Sequence, residues 1–179
     1  MLLQQIPWKR DETVNSLAKG YVEYIQQNLT NPIVLFDGYN AGSGTNDTGH
    51  LRRTKGLVGP KVNFVGSMPL KTTKEHFMSN CENKQRFIDT LSSKLQEHGA
   101  KTLHAESDHD LLIVQTAVDS AADSATGVAG EDTALLVLLC PHADVKSKPF
   151  SFKSEKKQKN HKVWHINRLK SVMGPELCL

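Results

Sequence analysis

Carboxylates that follow short apolar runs are the residues of this chain best suited to chemistry. Ile33-Val34-Leu35-Phe36 is closed by Asp37 and then by Gly38. Glu106, Asp108 and Asp110 stand between the extended piece Lys101-Thr102-Leu103-His104-Ala105 and the apolar run from Leu111 to Val118. Glu131 and Asp132 follow Val128-Ala129-Gly130. One or two acids suffice to complement a helix dipole. Aspartates one residue apart, as Asp108 and Asp110 are, repel each other unless they share a cation. Oxygen donors of this kind suit hard divalent ions, Mg²⁺ or Mn²⁺. A pair of such ions about 3.5–4 Å apart activates a water and stabilises the leaving oxygen of a phosphodiester. The expected cofactor is therefore one or two Mg²⁺ or Mn²⁺ ions, held by acids from the set Asp37, Asp108, Asp110, Glu131 and Asp132. His109, between two acids, is expected to point away from them.

Other chemistries have less footing. The chain has no HExxH pair, no phosphate loop, no Ser/His/Asp order and no CxxC, and Cys81, Cys140 and Cys178 are scattered. Scattered cysteines favour reduced thiols over a disulfide framework or zinc site. Cations do accompany the acids. His50-Leu51-Arg52-Arg53-Thr54-Lys55 is a compact basic cluster, Lys84 and Arg86 lie off the apolar face of an expected helix, and Lys156-Lys157-Gln158-Lys159 is a second run. Arg52, Arg53, Lys55, Lys84, Arg86, Lys156 and Lys157 are the candidate phosphate contacts. Phe150 and Phe152, interleaved with lysines, are placed to stack on bases.

Positioning these groups requires helices and strands in alternation. Residues 11–28 carry a helical apolar period, with Asp11 as the cap. Residues 33–36 read as a fully buried strand. The Gly-rich stretch 40–72 reads as a basic loop. Residues 73–98 read as one long helix with a Thr72/Glu75 capping box and a Gly99 stop. The Leu111–Val118 run reads as a helix capped by Ser107. Beyond it, either 126–131 or 134–140 is a strand, and the first is preferred because it repeats the strand-then-acid pattern of Asp37. A basic loop over 144–162, a strand at Val163–Ile166 and a short helix from Arg168 to Met173 opened by Asn167 complete the series. The alternation implies an α/β fold with a mostly parallel sheet.

With 179 residues, the chain fits one domain, 1–179, with its amino-terminal helix within 1–30. A net charge of +3 and 38% hydrophobic residues are ordinary values, so partners must be read from local charge. The amino terminus lacks the features of a secretory signal, and no run is long enough to span a bilayer. An intracellular protein with no membrane partner is expected. The Lys156-Lys157-Gln158-Lys159 run is compatible with a nuclear address.

Val34-Leu35-Phe36-Asp37-Gly38, Ala105-Glu106-Ser107-Asp108-His109-Asp110 and Gly130-Glu131-Asp132-Thr133-Ala134-Leu135, in this order and spacing, resemble the PIN-like nucleases of the flap-endonuclease (XPG) type. The stretches His50-Leu51-Arg52-Arg53-Thr54-Lys55-Gly56 and Asn83-Lys84-Gln85-Arg86-Phe87-Ile88 are similar to uncharacterised metazoan proteins of the same fold with a mobile-element-like distribution. The resemblance implies a three-layer fold with a mostly parallel central sheet flanked by helices. It further implies a divalent-metal-dependent phosphodiesterase acting on DNA or RNA, with metal ligands at Asp37, Asp108, Asp110 and Asp132 and supporting acids at Glu106 and Glu131. The chain departs from the family at Ala134, where a second aspartate is usual, and it ends before the family's Gly-x-Asp turn, as a truncated domain would. These departures raise an alternative expectation, a nuclease-derived nucleic-acid-binding module without turnover.

Overall fold

Thr13, not Asp11, begins the first helix. Its hydroxyl accepts a hydrogen bond from the Ser16 N–H at 3.2 Å, while Asp11 sits at a positive φ of 60° in the preceding turn. The helix, α1, spans Val14–Asn28 and buries Val14, Leu17, Ala18, Tyr21, Val22 and Ile25 on one face. A computed structural model describes this chain over residues 2–37, 58–105, 109–130, 133–144, 146–155 and 162–173. The expected single domain divides into two compact units, Leu2–Ser107 and Asp108–Leu179. Among the described residues the architecture is mixed α/β, with six α-helices and two small sheets.

In Leu2–Ser107 the order is a 3₁₀ turn at Leu2–Gln4, α1, β1 at Ile33–Asp37, α2 at Lys74–Met78, α3 at Cys81–Glu97 and β2 at Lys101–Ala105. β1 and β2 pair in parallel, with Ile33 opposite Lys101 and Asp37 opposite Ala105. The expected fully buried β1 is instead alternating: Val34 and Phe36 are buried, whereas Ile33, Leu35 and Asp37 are half-buried. Only the Val34–Phe36 face joins the core built on α1 and α3, which explains the alternation.

The long helix expected over 73–98 is broken in two. Asn80 is the reason, because its side-chain oxygen accepts from the Glu82 and Asn83 N–H groups and starts α3 afresh. The α2 cap is Thr73, which accepts from the His76 N–H at 3.3 Å. Thr72, expected as the capping residue, has a buried hydroxyl oxygen with no hydrogen-bond partner. Gly99 does end α3, at a left-handed φ of 84° that suits glycine. The core beneath is aromatic. Trp8 packs within 5.1 Å of Phe87 and 5.5 Å of Phe77, and Phe87, Leu91 and Tyr21 are wholly buried. Side chains of this size contribute roughly 1.5–3 kcal/mol each on burial.

In Asp108–Leu179 the order is α4 at His109–Asp123, β3 at Thr126–Gly130, α5 at Thr133–His142, β4 at Phe150–Ser154, β5 at Val163–His165 and α6 at Ile166–Met173. β4 is central, parallel to β3 and antiparallel to β5. The preferred strand at 126–131 is therefore present as β3, and 134–140 is helical. The expected 144–162 loop contains β4. Its alternation of buried Phe150, Phe152 and Ser154 with more accessible Ser151 and Lys153 is a strand signal hidden within a lysine-rich stretch.

Phe150 and Phe152 are 1% and 0% exposed, so they form core and do not offer faces for base stacking. Helix α6 begins at Ile166 rather than after Asn167. The Asn167 side chain is otherwise engaged, accepting the Phe150 N–H at 2.8 Å and donating to Ser147 Oγ at 2.9 Å. Lys170 closes the carboxyl end of α5, donating to the carbonyls of Pro141 at 2.7 Å and Ala143 at 2.5 Å. No helix among the described residues is long and apolar enough to cross a membrane.

Candidate metal centre and phosphate contacts

Parallel pairing sets where the acids stand. β1 and β2 end level at Asp37 and Ala105, and Ala105 is followed in the chain by Glu106. β3 and β4 end level at Gly130 and Ser154, which are followed by Glu131 and Glu155. Every strand of the two parallel pairs thus ends on, or runs directly into, a carboxylate. Carboxyl ends of parallel strands are where α/β folds place ligand chemistry.

Asp37 is half-buried at its strand end. Asp110 lies in the first turn of α4 with its side chain 56% exposed, and His109 Nδ1 is 3.7 Å from its carboxylate. Against the expectation that His109 points away from the acids, its ring thus stays beside Asp110, while Asp108 lies outside the described residues. Glu106, Asp108, Glu131 and Asp132 lie outside the described residues, as does Ser107, the expected cap of α4. Among the described residues no group of three or more His, Cys, Asp or Glu side chains is gathered as a metal would require. The donors described, Asp37 and Asp110, are hard oxygen ligands and match Mg²⁺ or Mn²⁺ in chemistry.

Glu155 was not anticipated. Its N–H donates to the Gly130 carbonyl at 2.8 Å, which prolongs the β3–β4 ladder to the point where Glu131 follows. Its side chain is 15% exposed and pairs with Lys153 at 3.5 Å. The alternation of Phe150 to Ser154 would have revealed it as another strand-end acid. His161 and His165 also have i, i+4 spacing. His161 lies outside the described residues, and His165 lies at the end of β5.

Of the candidate phosphate contacts, Arg52, Arg53, Lys55, Lys156 and Lys157 lie outside the described residues. Lys84 is half-buried on α3. Arg86 is directed inward to the protein's own backbone. It donates from Nη1 to Val62 O at 3.4 Å and Asn63 Oδ1 at 3.1 Å, and from Nη2 to Phe64 O at 3.1 Å. The guanidinium also lies over the Phe64 ring, 4.8 Å from its centroid. Asn83, one helical turn earlier and 0% exposed, accepts the Val62 N–H at 2.7 Å and donates to Pro60 O at 2.9 Å and Phe77 O at 3.3 Å. Comparison with protein-family models, curated proteins and solved structures finds no match to this chain.

Proposed function

We propose that the chain is a divalent-metal-dependent phosphodiesterase domain of PIN-like, three-layer type, acting on DNA or RNA. The observation that carries this reading is the carboxylate at or just beyond each end of the parallel-paired strands, at Asp37, Glu106, Glu131 and Glu155. Asp37, Asp108, Asp110 and Asp132 would hold Mg²⁺ or Mn²⁺, with Glu106 and Glu131 as outer or substitute ligands. The metal, when bound, lowers the pKa of a water and neutralises charge on the phosphoryl oxygens. Arg52, Arg53, Lys55, Lys156 and Lys157 would hold the phosphodiester backbone.

The test uses purified protein with labelled single-stranded and branched oligonucleotides. Mg²⁺-dependent cleavage is expected to disappear in Asp37→Asn and in Asp108→Asn. Cleavage that persists unchanged in both variants would exclude the assignment. A second reading is favoured by Ala134, which stands two residues beyond Asp132 and offers no side-chain oxygen where the resembled family has an aspartate. Under it the domain binds nucleic acid with steep salt dependence and does not turn over in Mg²⁺ or Mn²⁺.

A further inference from the structure

We propose that the cavity between the last turns of α4 and the loop leading into β4 is a binding site for a free α-amino acid with an apolar side chain. The cavity has a volume of about 370 Å³. Val118 and Ala122 of α4 and Phe150 of β4 supply apolar lining, and Asp144, Lys146 and Ser147 supply a polar side. Small-molecule sites are concave, mostly apolar and about 300–1,000 Å³ in volume, with a few polar groups that fix the ligand's orientation. This one lies within Asp108–Leu179 and does not depend on the nuclease reading.

The loop is fastened on both sides, so the cavity is formed before a ligand arrives. On one side the Lys148 N–H donates to the Ala121 carbonyl of α4 at 2.9 Å. On the other the Asn167 amide, from α6, donates to the Asp144 carbonyl at 3.2 Å and to Ser147 Oγ at 2.9 Å. Ser147 Oγ donates in turn to the Asp144 carbonyl at 2.7 Å. A wall held in this way has little freedom left to lose on binding. The charged groups then select the ligand. Asp144 and Lys146 are exposed, and among the described residues neither side chain is in an ion pair. Asp144 Oδ1 accepts the Lys146 backbone N–H at 2.8 Å, which leaves Oδ2 for a cationic group. The carboxyl end of α4 is the negative pole of its dipole and favours a cation at the same place. An ammonium on Asp144, a carboxylate on Lys146 and an apolar side chain over Val118 and Ala122 together describe an apolar α-amino acid. A fatty acid would leave Asp144 unmatched, and an alkylamine would leave Lys146 unmatched.

The experiment titrates leucine into the isotope-labelled full chain and follows the amides of Ala122, Lys146 and Ser147 by NMR. Saturable shifts confined to the cavity are expected, in the millimolar range that suits so small a ligand. Glycine, isocaproate and isoamylamine lack in turn the side chain, the ammonium and the carboxylate of leucine, and each should bind about tenfold more weakly. Asp144→Asn keeps an acceptor for the Lys146 N–H and removes the charge. It should weaken leucine about tenfold and leave isocaproate unchanged. Lys146→Gln should weaken leucine about tenfold and leave isoamylamine unchanged. Ala122→Phe, at an exposed helix position, should fill the cavity and abolish the shifts while the circular dichroism stays that of wild type. The proposal is overturned if leucine gives no saturable shift, or binds either charge variant or Ala122→Phe as tightly as wild type. Isocaproate or glycine binding as tightly as leucine would overturn it equally.

Discussion

At the scale of single residues, polar side chains set inside the core do as much positioning as apolar ones. Tyr21 is wholly buried, accepts the Trp8 Nε1–H at 3.1 Å and donates its own hydroxyl to the Leu3 carbonyl at 2.7 Å. Burial pushes its pKa up to about 12, and the hydrogen bond from Trp8 lowers it in part. The folded chain thus keeps this proton to higher pH than the unfolded chain, whose tyrosine ionises near 10. The contribution to stability is whole below about pH 10 and declines as pH rises from about 10 to about 12, by about 3 kcal/mol in all. Urea midpoints followed by Trp8 fluorescence in a Trp164→Phe background should fall across that window. Tyr21→Phe should flatten the fall while costing about 1–2 kcal/mol at neutral pH. Asn83 and Arg86 belong to the same class of residue. Nothing in their spacing separates a surface cation from an inward one, because i, i+3 places Arg86 beside Asn83 on a helix whichever way the guanidinium turns.

At the scale of elements, close approach of backbones decides where glycine is required. A Cβ at Gly59 would meet the carbonyl oxygen and carbon of His76, which as backbone of α2 have little room to yield. Gly59→Ala is expected to cost about 1–3 kcal/mol in urea unfolding and to loosen the segment held by Ser79 and Asn83. A variant as stable as wild type would show that this approach is not maintained in solution. Gly130 is milder, since an added Cβ would meet side-chain atoms of Phe152 at 3.2 Å and Leu135 at 3.3 Å. Element types were largely legible: α1, β1, β2, β3 and the final strand and helix follow from apolar period and turn residues. The break between α2 and α3 was not, because Ser79 and Asn80 are tolerated inside helices and become a boundary only when Asn80 caps a new start. β4 was missed because lysines and serines concealed a two-residue period.

At the scale of the whole chain, two cores are distinct. One gathers Val14, Tyr21, Phe77, Phe87 and Leu91, the other Leu139, Phe150, Phe152 and Ile166. Native-state hydrogen exchange should accordingly show slow amides in both α1–α3 and β3–β4. Leu91→Ala, at a wholly buried position, should cost about 2–5 kcal/mol and speed exchange in α1 and α3. Slow exchange confined to one of the two units would contradict this reading. By itself, the sequence determined most elements, β4 and the break between α2 and α3 excepted, and the recurrence of acids after apolar runs. Local period and turn chemistry are short-range properties that residues carry with them. Only the tertiary structure decided that Asp37 stands level with Ala105 and that β3 ends level with β4, since register depends on partners distant in the chain. It alone also turned Arg86 inward and buried the two phenylalanines, because a side chain's partners are chosen by what packs against it.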